Sequence, residues 1–67
     1  MITLTVNGKR CDLSGPTLLP DFLKANQVKT TMIAIGLNGR VVHREHWDDV
    51  RLNDGDTVDI VEMVGGG

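Results

Sequence analysis

Sixty-seven residues with 40% hydrophobic and 3% aromatic content describe one small folded domain whose core is built from Val, Ile, Leu and Met rather than rings. A formal net charge of −2 without a basic cluster argues against nucleic acid as the main partner, and a single cysteine leaves no internal disulfide to form. With no basic n-region and no long apolar stretch, neither a signal peptide nor a membrane span is expected, and a reducing, cytoplasmic setting is the simplest reading.

In chain order, Ile2, Leu4 and Val6 alternate with Thr3 and Thr5, the period of a half-buried strand. Asn7-Gly8 follows, and both residue types tolerate the positive φ that a two-residue type I′ turn requires. Lys9 to Leu13 is then the returning strand, with Cys11 and Leu13 on one face. Ser14-Gly15-Pro16 breaks it. Thr17 is the expected helix N-cap, and Leu18, Leu19, Phe22, Leu23 and Ala25 form an apolar stripe over a helix at about Leu18 to Asn26. Pro20 falls in the first turn, where a missing N–H is tolerated.

Met32 to Leu37 is an apolar run bounded by turn residues, hence a buried strand. Asn38-Gly39 repeats the hairpin signal, and Arg40 to His43 returns. Arg44 to Asn53 has no clear period and reads as irregular, with one helical turn near Glu45 to Asp48 and with Val50 and Leu52 tucked inward. Asp54-Gly55-Asp56 is a turn, and Thr57 to Met63 is the last strand, Val58 and Ile60 on one face, Val61 and Met63 on the other. The order strand, strand, helix, strand, strand, strand predicts an α+β fold. It fits the β-grasp (ubiquitin-like) arrangement, a mixed sheet of about five strands on one helix. There the last strand runs parallel to the first in mid-sheet, and its C-terminus is expected to leave at an edge.

Residues 1–63 are thus expected to form the domain and residues 64–67 a flexible tail. Gly65, Gly66 and Gly67 lack a Cβ, so they can thread a channel too narrow for other residues. The run presents an unhindered carboxylate on Gly67. Extended, Val64 to Gly67 reach ~13–14 Å. Ordering such a segment costs roughly 1–2 kcal/mol per residue, so a docking surface on the body must offset it. Val61, Met63 and Val64 are the candidates for that surface.

Other residues carry weaker signals. His43 and His46 lie three apart with Asp48 and Asp49 nearby, but two imidazoles without further ligands at a recognisable spacing are not a metal site. Cys11 has no base or helix end placed beside it by sequence, and a strand cysteine is usually a small hydrophobe. Trp47 reads as a lid over the core edge. Asp54, Asp56, Asp59 and Glu62 read as turn formers and a solvated strand face. No nucleophile–base–acid set and no phosphate-binding glycine loop appears, so the chain is not expected to be an enzyme.

Several pieces run in order through almost the whole chain: Thr5-Val6-Asn7-Gly8, Thr17-Leu18, Ala34, Leu37-Asn38-Gly39, Val42, Arg44, Trp47, Leu52, Asp54-Gly55-Asp56, Ile60-Val61 and Val64-Gly65-Gly66-Gly67. In this set the chain resembles the ThiS-type sulfur carriers of thiamin biosynthesis, a ubiquitin-like β-grasp family. Pro20, His43 before Arg44, and Cys11 depart from the pattern without touching the tail. The resemblance implies that the Gly67 carboxylate is adenylated with ATP by a ThiF-type adenylyltransferase. Sulfur from a persulfide donor, supplied by a cysteine desulfurase, then converts it to a thiocarboxylate. The thiazole synthase ThiG takes that sulfur for the thiazole ring. No cofactor would be bound by the carrier itself, ATP being held by the activating enzyme, and the free carrier would be a monomer. Three alternatives stay open: a carrier for molybdopterin or another sulfur metabolite, a ubiquitin-like protein modifier, and a β-grasp binding module.

Overall fold

The computed structural model describes residues 1–63; the expectations for Val64, Gly65, Gly66 and Gly67, and the tail boundary at 64, lie outside the described residues. Seven strands (β1 Ile2–Val6, β2 Lys9–Leu13, β3 Thr17–Leu18, β4 Ile33–Leu37, β5 Arg40–Val42, β6 Arg51–Leu52, β7 Thr57–Glu62), one α-helix (α1 Leu19–Ala25) and a 3-10 helix (Arg44–Asp49) are present among them.

The main sheet has the order β2-β1-β7-β4-β5. β1 and β7 are parallel and every other neighbouring pair is antiparallel, which is the mixed β-grasp sheet expected from the element order. Asn7, Gly8, Asn38 and Gly39 all have positive φ (49°, 81°, 52° and 83°), so both Asn-Gly pairs make the turns their chemistry suits. The alternating residues of the strands fall on one face: Ile2, Leu4, Ile33, Ile35 and Val58 are buried there, with Val6, Cys11, Leu13, Leu37, Val42 and Ile60 partly buried beside them. Leu19, Phe22 and Leu23 of α1 cover this face, and Leu52 and Trp47 close its flank. Full burial of each such side chain contributes roughly 1.5–3 kcal/mol, which is how so short a chain reaches a stable core.

The helix ends are satisfied without the expected cap. Thr17 is not the N-cap: it lies in β3, paired with Leu52, and its hydroxyl donates to the Gly15 carbonyl at 2.9 Å. Leu18 stands at the N-cap position with no side-chain bond, and the Leu19 N–H instead donates to the Val50 carbonyl at 2.8 Å. At the other end, Gln27 takes φ +56°. Its N–H donates to the Lys24 carbonyl, and the Val28 N–H to that of Leu23, the paired bonds of a Schellman stop.

Three further expectations are corrected. Met32 has φ +64°, outside the strand region, so β4 begins one residue later at Ile33. The stretch Arg44 to Asn53 is more ordered than expected: the single turn extends to a six-residue 3-10 helix, and Arg51–Leu52 pair with Thr17–Leu18 in a second, two-stranded sheet. Finally, β7 ends at Glu62, one residue before the expected Met63. It is flanked by β1 as far as Val58 and by β4 alone from there to Glu62, opposite Ile33, and the Met63 N–H still donates to the Met32 carbonyl at 2.7 Å.

Candidate functional site: the outer sheet face and the end of the last strand

Since the inward face is set by the buried residues, the alternate positions face away from α1. They divide into two halves. On β1 and β2 they are Thr3, Thr5, Arg10 and Asp12, three of them joined by polar contacts: Asp12 accepts from the Thr3 hydroxyl at 2.9 Å and from Arg10 Nε at 3.0 Å. Those donors hold the Asp12 carboxyl below the usual carboxylate range, the Arg10 bond contributing most and the Thr3 bond next.

On β4, β5 and β7 the outward positions are apolar apart from Thr57 and Asp59. Val61 lies opposite Ala34, and Gly36 lies opposite both Val41 and Asp59. Val61 is 55% exposed, Met63 50% and Val41 70%. Neighbouring apolar groups on an outward face have no folding reason to be there, which makes the patch an interaction candidate. Of the residues expected to dock, Val61 lies on it; Met63 follows the end of β7 and borders a cleft with Val28, Met32 and Ile60, and Val64 lies outside the described residues. Ala34, Gly36 and Val41 were not anticipated. Gly36 sits between the exposed valines with no positive φ. A Cβ there would meet the Asp59 Cβ at 3.6 Å, an ordinary contact, so the fold itself does not require glycine at this point.

The other candidates are placed as follows. Cys11 is partly buried beside the core, opposite Leu4. Trp47 is buried; its Nε1 donates to the Val42 carbonyl at 2.9 Å and the Arg44 guanidinium lies 4.7 Å from the ring centroid. His43 and His46 are exposed, and among the described residues no group of three His, Cys, Asp or Glu side chains could hold a metal ion. Asp54 and Asp56 serve the fold: Asp54 Oδ1 accepts from the Thr3 N–H at 2.7 Å, and the two Asp56 oxygens accept from the Asn53 N–H and from Asn38 Nδ2. No helix among the described residues is long and apolar enough to cross a membrane.

A sequence model of the ThiS family matches residues 4–67, nearly the whole chain and including the glycine run. The chain belongs to the ThiS family. It is similar to the sulfur carrier protein ThiS of Bacillus subtilis (strain 168), 31% identical over 65 residues that cover 96% of this chain and 98% of the relative. The crystal structure of the thiamine biosynthesis protein ThiS from Geobacter metallireducens superposes with a TM-score of 0.87 at 35% identity, covering 98% of this chain and all of that one. A solution structure of a thiamine biosynthesis protein from the same organism gives 0.78 at the same identity, covering 98% of this chain and 88% of the other. Membership of the ThiS family and the β-grasp sheet agree, since the sheet described above is the one these relatives share.

Proposed function

We propose that this ThiS-family chain is the sulfur carrier for thiazole formation in thiamin biosynthesis, with its chemistry at Gly67. The Gly67 carboxylate attacks the α-phosphorus of ATP on a ThiF-type adenylyltransferase, forming the acyl adenylate and releasing pyrophosphate. A persulfide sulfur, delivered by a cysteine desulfurase, displaces AMP; reductive release from the resulting acyl disulfide by a thiol leaves the thiocarboxylate. Thiazole synthase then consumes that sulfur. The carrier supplies the acyl group and a handle, while the ATP site and the catalytic groups belong to the partners. Gly65 and Gly66 allow the end to enter a narrow channel, and the patch of Val61, Val41 and Ala34 around Gly36, together with Met63 past the strand end, docks on the activating enzyme. Burying that patch offsets the ordering of the tail.

The single observation that carries this reading is the family match running through to Gly67. The test is the intact mass after incubation with a ThiF-type enzyme, ATP, a persulfide donor and a thiol. The expected result is a gain equal to one oxygen replaced by sulfur, lost when Gly67 is deleted. An unchanged mass, with the enzyme shown active on another carrier, overturns it.

A further inference from the structure

We propose that Asn7 is a positioning residue for the carrier end, its side-chain amide standing in for a further residue of β1. The parallel pairing of β1 with β7 ends at Val6 opposite Val58. There the chain must turn into its hairpin, and Asn7 takes φ +49° to do so. Its own N–H still donates to the Val58 carbonyl at 2.9 Å. The next β7 residue that faces this side is Ile60, and the Asn7 side chain reaches it. Asn7 Oδ1 accepts from the Ile60 N–H at 2.7 Å and Nδ2 donates to the Ile60 carbonyl at 3.2 Å. A primary amide is the one short side chain that offers an acceptor and a donor in one plane, as a peptide unit does. Glycine or aspartate would satisfy the turn, but neither would make both bonds.

The second Asn-Gly turn does the corresponding work at the other end of β7. The Asn38 N–H donates to the Thr57 carbonyl and Asn38 Oδ1 accepts from the Thr57 N–H, both at 2.8 Å. β7 is therefore clamped by one asparagine where it enters the sheet and by another near where it leaves. Past Ile60 it is held on the β4 side, through the Ala34–Val61 and Ile33–Glu62 pairs and the Met63 N–H. On the β1 side, Asn7 is the last hold among the described residues. Releasing it leaves Ile60, like Val61 to Met63, fixed along one edge only, so that the whole end can twist out of the sheet.

This inference rests on the proposed function in one respect, that the residues after Met63 deliver Gly67 to an enzyme. Movement at Ile60 is carried outward along the chain, and it also tilts Val61 within the docking patch. A strand end held in advance costs less to order on binding, so losing the hold raises the KM of the carrier and leaves kcat little changed.

The experiment compares Asn7→Gly, which keeps the turn and removes both side-chain bonds, with Asn38→Gly, which does the same at the entry end. Amide hydrogen exchange of Ile60 is measured in each, followed by adenylation of the full chain by the ThiF-type enzyme. In Asn7→Gly, the Ile60 amide is expected to exchange roughly five- to tenfold faster, the scale set by a lost hydrogen bond. The KM is expected to rise by a similar factor, whereas Asn38→Gly leaves both unchanged apart from any global loss of stability. Asn7→Asp, which retains the acceptor for the Ile60 N–H but not the donor, should fall between. Unchanged Ile60 protection in Asn7→Gly overturns the clamp, and an equal KM in the two glycine variants overturns the positioning role. A wild-type chain that is not adenylated defeats the functional reading and the positioning role with it; Ile60 exchange then decides the clamp alone.

Discussion

The two faces of the five-stranded sheet are built from the same strands, one residue apart, and they answer to different demands. On the inner face Leu4, Ile35 and Val58 are almost wholly excluded from water beneath Leu19 and Leu23, and their identities follow from packing. On the outer face the strands β1 and β2 carry Thr3, Thr5, Arg10 and Asp12, an ordinary solvated surface. Strands β4, β5 and β7 instead carry Ala34, Gly36, Val41 and Val61, of which the two valines are exposed and the two small residues between them half-buried. Apolar residues inside are explained by folding; apolar residues on half of the outside ask for a partner. The contrast separates what makes the domain stable from what makes it useful.

The widest separation should come from an inner-face truncation. Leu23→Ala removes a side chain with no exposed surface, and such changes cost ~2–5 kcal/mol. For a domain of this size each kcal/mol lowers Tm by roughly 4–8 °C, so thermal or urea unfolding reads the effect easily. A loss under about 1 kcal/mol would mean that α1 does not seal the core as described. Conversely, Val61→Asp should change stability by no more than about 0.5 kcal/mol, while lowering kcat/KM for adenylation at least about tenfold. Equal adenylation by this variant would remove the outer patch from the docking surface and leave the two faces differing only in exposure.

Trp47 tests the flank between them with a smaller effect. Trp47→Phe keeps a ring but loses the bond from Nε1 to the Val42 carbonyl. The expected loss is ~1 kcal/mol with adenylation unchanged, measured by urea unfolding. A pronounced adenylation defect in a folded Trp47→Phe would instead make the tryptophan part of the interaction surface.

Much of this was legible in the chain itself, and the parts that were not share a cause. Asn7-Gly8 and Asn38-Gly39 declare their hairpins because few other residue pairs accept two successive positive φ values. The alternation along Thr57 to Met63 assigns Val58 and Ile60 inward and Val61 outward without any structure. Thr17 misled because a threonine before an apolar stripe has the sign of an N-cap, whereas its actual partner, Leu52, lies far along the chain in a strand too short to show a period. Met32 misled because its side chain suits a strand and its backbone does not adopt one. For the candidate site, Val61 could be named from its own strand. Ala34, Gly36 and Val41 join it only through the register of β4 with β5 and β7, which is a long-range fact. The second role of Asn7 was hidden for the same reason, its partner Ile60 being 53 residues away.

The smallest expected effect lies on the polar half of the outer face and checks that it is no more than a solvated surface. Asp12 has its carboxyl held below the usual range, first by the Arg10 bond and then by that of Thr3. A carboxyl whose folded pKa is depressed favours the folded state when ionised. Its contribution is therefore present above the unfolded carboxylate pKa of about 4 and is lost as pH falls through the lower folded value. Asp12→Asn should accordingly show a slightly lower Tm than the parent chain at neutral pH, with the gap closing in strong acid. The side chain is solvent-exposed, so the neutral-pH gap should be near the limit of detection. A gap that persists undiminished in strong acid would mean that Asp12 acts through shape and neutral hydrogen bonding rather than charge. A large gap at neutral pH would show the two halves of the outer face to be more alike in structural importance than their exposure implies.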